Sequence, residues 1–120
     1  MIMENDLMER LFVFAVRTLK FTRKLPNTTE YKIIRNQLAK SSTSSGANYE
    51  EAQGGSSKAD FINKVKISLH EMRESNYWLR IIDAIKEEDT FESEIQFLLK
   101  ESSELKKILG AIMQKTRQGK

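Results

Sequence analysis

Apolar residues in the first stretch of the chain recur three and four apart, at Leu7, Leu11, Phe14, Thr18, Phe21 and Leu25. That is the period of one helical face, and Phe12, Ala15 and Leu19 widen the stripe into the broad apolar side of a packed helix. Pro26 ends the pattern, and Asn27 with Glu30 has capping-box spacing, so a second helix is expected to begin there. Its buried line should run Ile34, Leu38, Ser41 or Ser42, Ser45, Tyr49 and Ala52. A third line follows the cap pattern Ser57 and Asp60: Phe61, Val65, Ser68, Met72, Ser75, Leu79 and Ile82, flanked by Leu69, Trp78, Ile81 and Ile85. After the acidic turn Glu87, Glu88 and Asp89, with Asp89 or Thr90 as cap, a fourth helix carries Ile95, Leu98, Leu99, Leu105, Ile108, Leu109 and Ile112. Lys115 and Arg117 suit its C-terminal end. No run alternates with period two, so no strand is expected. The pattern predicts one all-α domain over residues 1–120, with helices at about 6–24, 28–53, 58–86 and 91–116 packed as an antiparallel up-down-up-down four-helix bundle.

Within the second helix, Ser41 to Ser45 are all Ser or Thr and Gly46 follows. Composition alone suggests a flexible linker. The apolar period, however, enters this tract and leaves it in phase, which argues for a helix filled with small residues. Ser and Thr cost only about half a kilocalorie per residue there, and what they supply is thinness. Neighbouring backbones can approach closely, and buried hydroxyls can bond to carbonyls one turn earlier. The break is expected later, at Gly54 and Gly55, where glycine provides the left-handed geometry of a helix end.

The chain has 120 residues, enough for one modest core, with 20 basic and 17 acidic side chains and a formal net charge of +3. This small excess permits nucleic-acid contact without demanding it. The absence of cysteine excludes disulfides, thiolate metal sites and cysteine nucleophiles, and fits a reducing cytoplasm. Leu11 to Val16, the longest apolar run, falls far short of the ~20 residues that span a bilayer, so neither a membrane segment nor a signal peptide is expected.

Several local motifs converge on one family. Gln37-Leu38 precedes the small stretch Ser41 to Gly46; Ala47-Asn48 and Glu51-Ala52 follow; Ser57 and Asp60-Phe61 open the third helix; Tyr77-Trp78-Leu79 stands late in it; and Lys24 to Pro26 reads Lys-Leu-Pro. Over about residues 10 to 115 the chain resembles the bacterial four-helix-bundle family related to proteins encoded in intervening sequences of large-subunit ribosomal RNA genes. The resemblance implies an antiparallel bundle and a ring-like homo-oligomer, a pentamer. Accessory proteins of diversity-generating retroelements are similar barrels that bind nucleic acid and a reverse transcriptase, which makes RNA, DNA and such an enzyme the partners to consider. Ser42-Thr43 stands where many relatives have Gly-Thr.

Four basic residues, Arg10, Arg17, Lys20 and Lys24, fall within about 80° on a helical wheel, opposite the apolar face of the first helix. The stripe suits either a phosphate-tracking surface or, more plainly, a solvated face; Lys106, Lys107, Lys115 and Arg117 could extend it. Asn48, Glu51, Glu71 and Glu74 are read as groups that fix register by hydrogen bonds between helices or subunits. A di-metal site is not expected, because such bundles use Glu-x-x-His repeats and the only histidine is His70, with isoleucine three positions before it. No nucleophile, base and orienter assemble around His70, and no phosphate-cradling loop is present, so the chain is read as non-catalytic, with no cofactor. Tyr77 and Trp78 could stack on bases, but helical spacing favours core or subunit contacts, and Ser45 and Gly46 join them as interface candidates. Two functions follow: an oligomeric bundle that binds nucleic acid, or scaffolds a nucleic-acid-processing partner, through the first helix; or a purely structural self-assembly module.

Overall fold

The computed structural model describes residues 4–55, 57–87, 89 and 91–118. They form four helices: α1 (Glu4–Thr22), α2 (Thr29–Gln53), α3 (Lys58–Ile85) and α4 (Glu92–Gln118). Each packs on its neighbour in sequence, and α4 returns to α1 along a lighter seam that closes the bundle. This is the up-down-up-down four-helix bundle that the periodicity predicts.

Every residue on the α1 line from Leu7 to Leu25 is buried, as is the α2 line through Ile34, Leu38, Ser41, Ser45, Tyr49 and Ala52. The serine tract is helix, and it sets the closest seam of the bundle. Ser45 Oγ donates to the Ser68 carbonyl at 2.8 Å, and Ser68 Oγ donates back to the Ser45 carbonyl at 2.7 Å. One turn back on α2 and two turns on along α3, Ser41 Oγ and Ser75 Oγ share a bond of 2.8 Å. Only a side chain as short as serine lets each hydroxyl reach the backbone of the facing helix. On the other side of α2, a Cβ on buried Gly46 would stand 3.3 Å from Leu11 Cβ, so α1 also comes close.

The helix ends depart from expectation in three places. The α2 cap is Thr28, whose hydroxyl accepts from Tyr31 N, rather than Asn27. Thr28 is the residue placed three before an amide that needs an acceptor; Asn27 lies one residue too early. Gly54 ends α2 at φ −97°, and no glycine among the described residues has positive φ, so left-handed geometry is not why glycine stands here. At Gly55 a Cβ would meet the end of the Asp60 side chain, which can turn away, and would stand 3.3 Å from the Ala52 carbonyl oxygen. Finally α1 stops at Thr22, which leaves Lys24 in the connecting turn. Arg35 of α2 caps that end, donating to the carbonyls of Thr22, Leu25 and Pro26 at 3.0 to 3.1 Å. Ser57 caps α3 as expected, accepting from Asp60 N at 3.0 Å. The Asp89 carbonyl accepts from Glu92 N at 3.1 Å, while Glu88 and Thr90 lie outside the described residues.

Candidate functional site

The expected basic stripe divides into two pairs. Arg10 and Arg17 sit at the α1–α4 seam, because α4 runs antiparallel to α1 and presents glutamates in matching register. Arg17 forms a two-pronged pair with Glu94 (3.0 and 2.7 Å); seven residues back on α1 and seven on along α4, Arg10 does the same with Glu101 (3.0 and 2.8 Å). Arg10 also reaches Glu104 at 2.5 Å. The Arg17 guanidinium further stacks on the Phe97 ring, 3.6 Å from its centroid. Hydrogen bonds to these carboxylates hold both guanidinium pKa values above their ordinary range. Their charges are thus answered within the chain. Lys20 is exposed on α1, and Lys24 is exposed beyond its end.

Long paired side chains along α1–α4 and short hydroxyls along α2–α3 explain why one seam is light and the other close. Asn76, absent from the sequence reading, ties α3 to α4: its Nδ2 donates to Ser102 Oγ (2.9 Å) and Ser103 Oγ (3.3 Å), and its Oδ1 accepts from Lys106 Nζ (3.2 Å) and Arg80 Nε (3.1 Å). By contrast, Asn48 bonds one turn back to Ser44 within α2, Glu74 accepts from Trp78 Nε1 within α3, and Glu51 is exposed. Among the described residues the serines and Asn76 join the helices, while the bonds of Asn48 and Glu74 stay within their own helices.

Two surfaces stand out. Phe12, expected in the core, is 58% exposed. With Leu11, Ala15, Val16 and Leu19 it forms one wall of an apolar groove of about 350 Å³, whose other wall is Thr43, Gly46 and Ala47 of α2. The helix turns these residues outward because the core line already fills the inner arc. Glu50 stands at this groove, and Glu9 adjoins it beside Phe12. The second surface is a depression of about 450 Å³ between α3 and the last turns of α4, where Lys66, His70, Arg73 and Arg117 surround Gly110 and Gln114.

A family model described as 23S rRNA-intervening sequence protein matches residues 3–111. This chain belongs to that family. A solved structure described as a protein of unknown function from the S23 ribosomal protein family of Bacteroides thetaiotaomicron VPI-5482 is 32% identical to it. The alignment covers 92% of this chain and 97% of that one, with a TM-score of 0.80. No curated protein matches.

On α3 of this intervening-sequence family protein, Tyr77 is 49% exposed and meets half-buried Trp78 edge-on, with ring centroids 5.4 Å apart. The Arg80 guanidinium lies 5.6 Å from the Tyr77 centroid. His70, Glu71 and Glu74 bring one donor atom each within 4.8 Å of one another, all from one helix. Burial, and then the neighbouring Glu74 charge, push the Glu71 carboxyl above its ordinary pKa. No residue of another helix joins the three among the described residues, so the inward-facing set of a bundle metal site is not assembled. No helix among the described residues is long and apolar enough to cross a membrane.

Proposed function

We propose that this chain is a non-catalytic self-assembly module whose subunits join head to tail, the α1–α2 groove of one copy receiving the Tyr77 edge of the next. The observation that carries the reading is the exposed ring of Phe12 above a groove thinned by Gly46 and Ala47, an apolar surface that a lone helical bundle has no reason to leave open. A second copy is the occupant that fits, because the chain itself offers a complementary patch. Tyr77 supplies an exposed aromatic ring, and Arg80, which has no ion-pair partner among the described residues, supplies a cation to meet Glu50 and Glu9 at the groove. Two different patches meeting in this way generate a closed ring when the rotation closes. The ring-forming relatives that the sequence resembles support the same arrangement, and a pentamer is the expected count.

The test is native mass spectrometry on wild type, Phe12→Glu and Tyr77→Glu. Wild type should give one closed oligomer, and each variant alone should give monomer. A mixture of the two should give a one-to-one dimer, because one intact groove then meets one intact aromatic edge. A monomeric wild type, or variants that still assemble alone, would overturn the reading. The α1 phosphate surface is less favoured, since Arg10 and Arg17 already hold carboxylates.

A further inference from the structure

The depression between α3 and α4 gathers cations that no carboxylate answers among the described residues. Arg10, Arg17 and Lys86 each hold carboxylates. Lys66, Arg73 and Arg117 are exposed at the depression, and among the described residues none of them has an ion-pair partner. No carboxylate lines the space. On α3 the Glu71 and Glu74 carboxylates come within 4.8 Å of a ring nitrogen of His70, at the edge of the depression. Lys66, His70 and Arg73 are spaced four and three apart, so all three share one face of α3. Gly110, Gln114 and Arg117 repeat that spacing on α4. Gly110 leaves the floor open: a Cβ there would meet nothing within 4 Å.

Converging cations that repel one another, without a carboxylate among them, make a site of high positive potential that gains most from an anion. The spacing further limits which anion. Lys66 and Arg73 leave α3 two turns apart, about 10 Å at 1.5 Å per residue, a spacing that suits successive phosphates of one strand. We infer that this depression binds the backbone of a single-stranded polynucleotide, with Lys66, Arg73 and Arg117 taking separate phosphodiesters and Gln114 and His70 completing the hydrogen bonds. Arginine and lysine suit this work because they hold phosphate oxygens without reading base edges, so binding is salt-dependent and tolerant of sequence.

Gly110→Glu tests the site without removing any of its basic groups. The new carboxylate projects into the open floor, and replacing a helical glycine favours the helix, so the fold is retained. Gly110→Ala is the matched control. Fluorescence anisotropy with a labelled single-stranded RNA should show wild-type binding whose log affinity falls against log salt with a slope of roughly −2, for three contacts at about −0.7 each. Gly110→Ala should bind as wild type, and Gly110→Glu should bind at least tenfold more weakly. Inorganic phosphate at matched ionic strength should not displace the RNA. Absence of wild-type binding, or equal binding by Gly110→Glu, would overturn the proposal. Displacement by inorganic phosphate would replace it with a single-phosphate site. A changed native mass in Gly110→Glu would assign the depression to contacts between copies instead.

Discussion

Ser45 offers the most direct measure of why the second helix is built from small residues. Its side chain is fully buried, donates to the Ser68 carbonyl at 2.8 Å, and faces a Ser68 hydroxyl that donates to its own carbonyl at 2.7 Å. Ser45→Ala removes one of these two bonds and leaves the other intact. A buried hydrogen bond contributes about 1 kcal/mol net, and alanine recovers about 0.5 kcal/mol of helix propensity. The balance is a loss of about 0.5 kcal/mol, or roughly 2 °C in Tm for a domain of this size. Ser45→Leu is a different perturbation, because it forces two further carbons beyond the serine oxygen into a seam already as close as a hydroxyl permits. Overpacking of this kind costs about 3 kcal/mol, which lowers Tm by roughly 10 °C. Thermal and urea unfolding followed by circular dichroism at 222 nm would measure both. Equal damage from the two substitutions would mean that the hydroxyl bonds, not thinness, are what the site requires; an undamaged Leu variant would mean that the seam is not close.

Four other outcomes follow from the same geometry. Thr18 Oγ1 is buried without a hydrogen-bond partner among the described residues, so Thr18→Val should raise the urea-unfolding free energy by about 1 kcal/mol, and a loss would refute the unpartnered hydroxyl. Asn76→Ala strips partners from Ser102, Ser103, Lys106 and Arg80 at once and should cost about 2 kcal/mol, whereas a change under about 0.5 kcal/mol would show that these bonds are dispensable. Arg17→Ala loses the Glu94 pair and the stack on Phe97; because the pair is part-exposed, the cost should be about 1 kcal/mol and smaller in high salt, while Lys20→Ala should change nothing. Glu71 binds its proton more tightly folded than unfolded, so its contribution to stability falls as pH rises from the ordinary glutamate pKa through the raised one. Glu71→Gln should therefore raise Tm at pH 7 and not at pH 4, and an equal shift at both would exclude the ionised carboxylate as the cause.

Most of the bundle was legible because it is written in local periodicity. The lines from Leu7 to Leu25 and from Ile34 through the serine tract to Ala52 needed only the helical repeat, and that repeat outweighed a composition that resembles a linker. Caps were less legible, since Asn27, Thr28 and Thr29 are all good capping types and only the backbone decides which one meets a free amide; the structure chose Thr28. Phe12, Ala15 and Leu19 misled for a related reason. Apolarity marks a residue as wanting cover, but does not say whether the cover comes from the same chain, and the inner arc of α1 was already full.

The candidate site was least legible where charge is concerned, because a helical wheel treats all polar outer positions alike. Arg17 and Arg73 look equivalent in sequence: each is an arginine off the main apolar line of a long helix. What separates them is the helix opposite. Glu94, Glu101 and Glu104 lie in the first half of α4 and meet α1 in antiparallel register, whereas Lys115 and Arg117 lie in the last turn, and Arg117 meets α3 across Gly110. Arg10 and Arg17 thus become part of the fold, with their charge answered 91 and 77 residues away in sequence, respectively. Lys66 and Arg73 face another cation and keep theirs. Counting basic residues on one helix does not tell Arg10 and Arg17, which hold carboxylates, from Lys20 and Lys24, which are exposed, and it does not show that Arg73 and Arg117 of two helices line one depression. The useful quantity is the charge left over once the seams have closed, and Lys66, Arg73 and Arg117 at the depression between α3 and α4 are part of it.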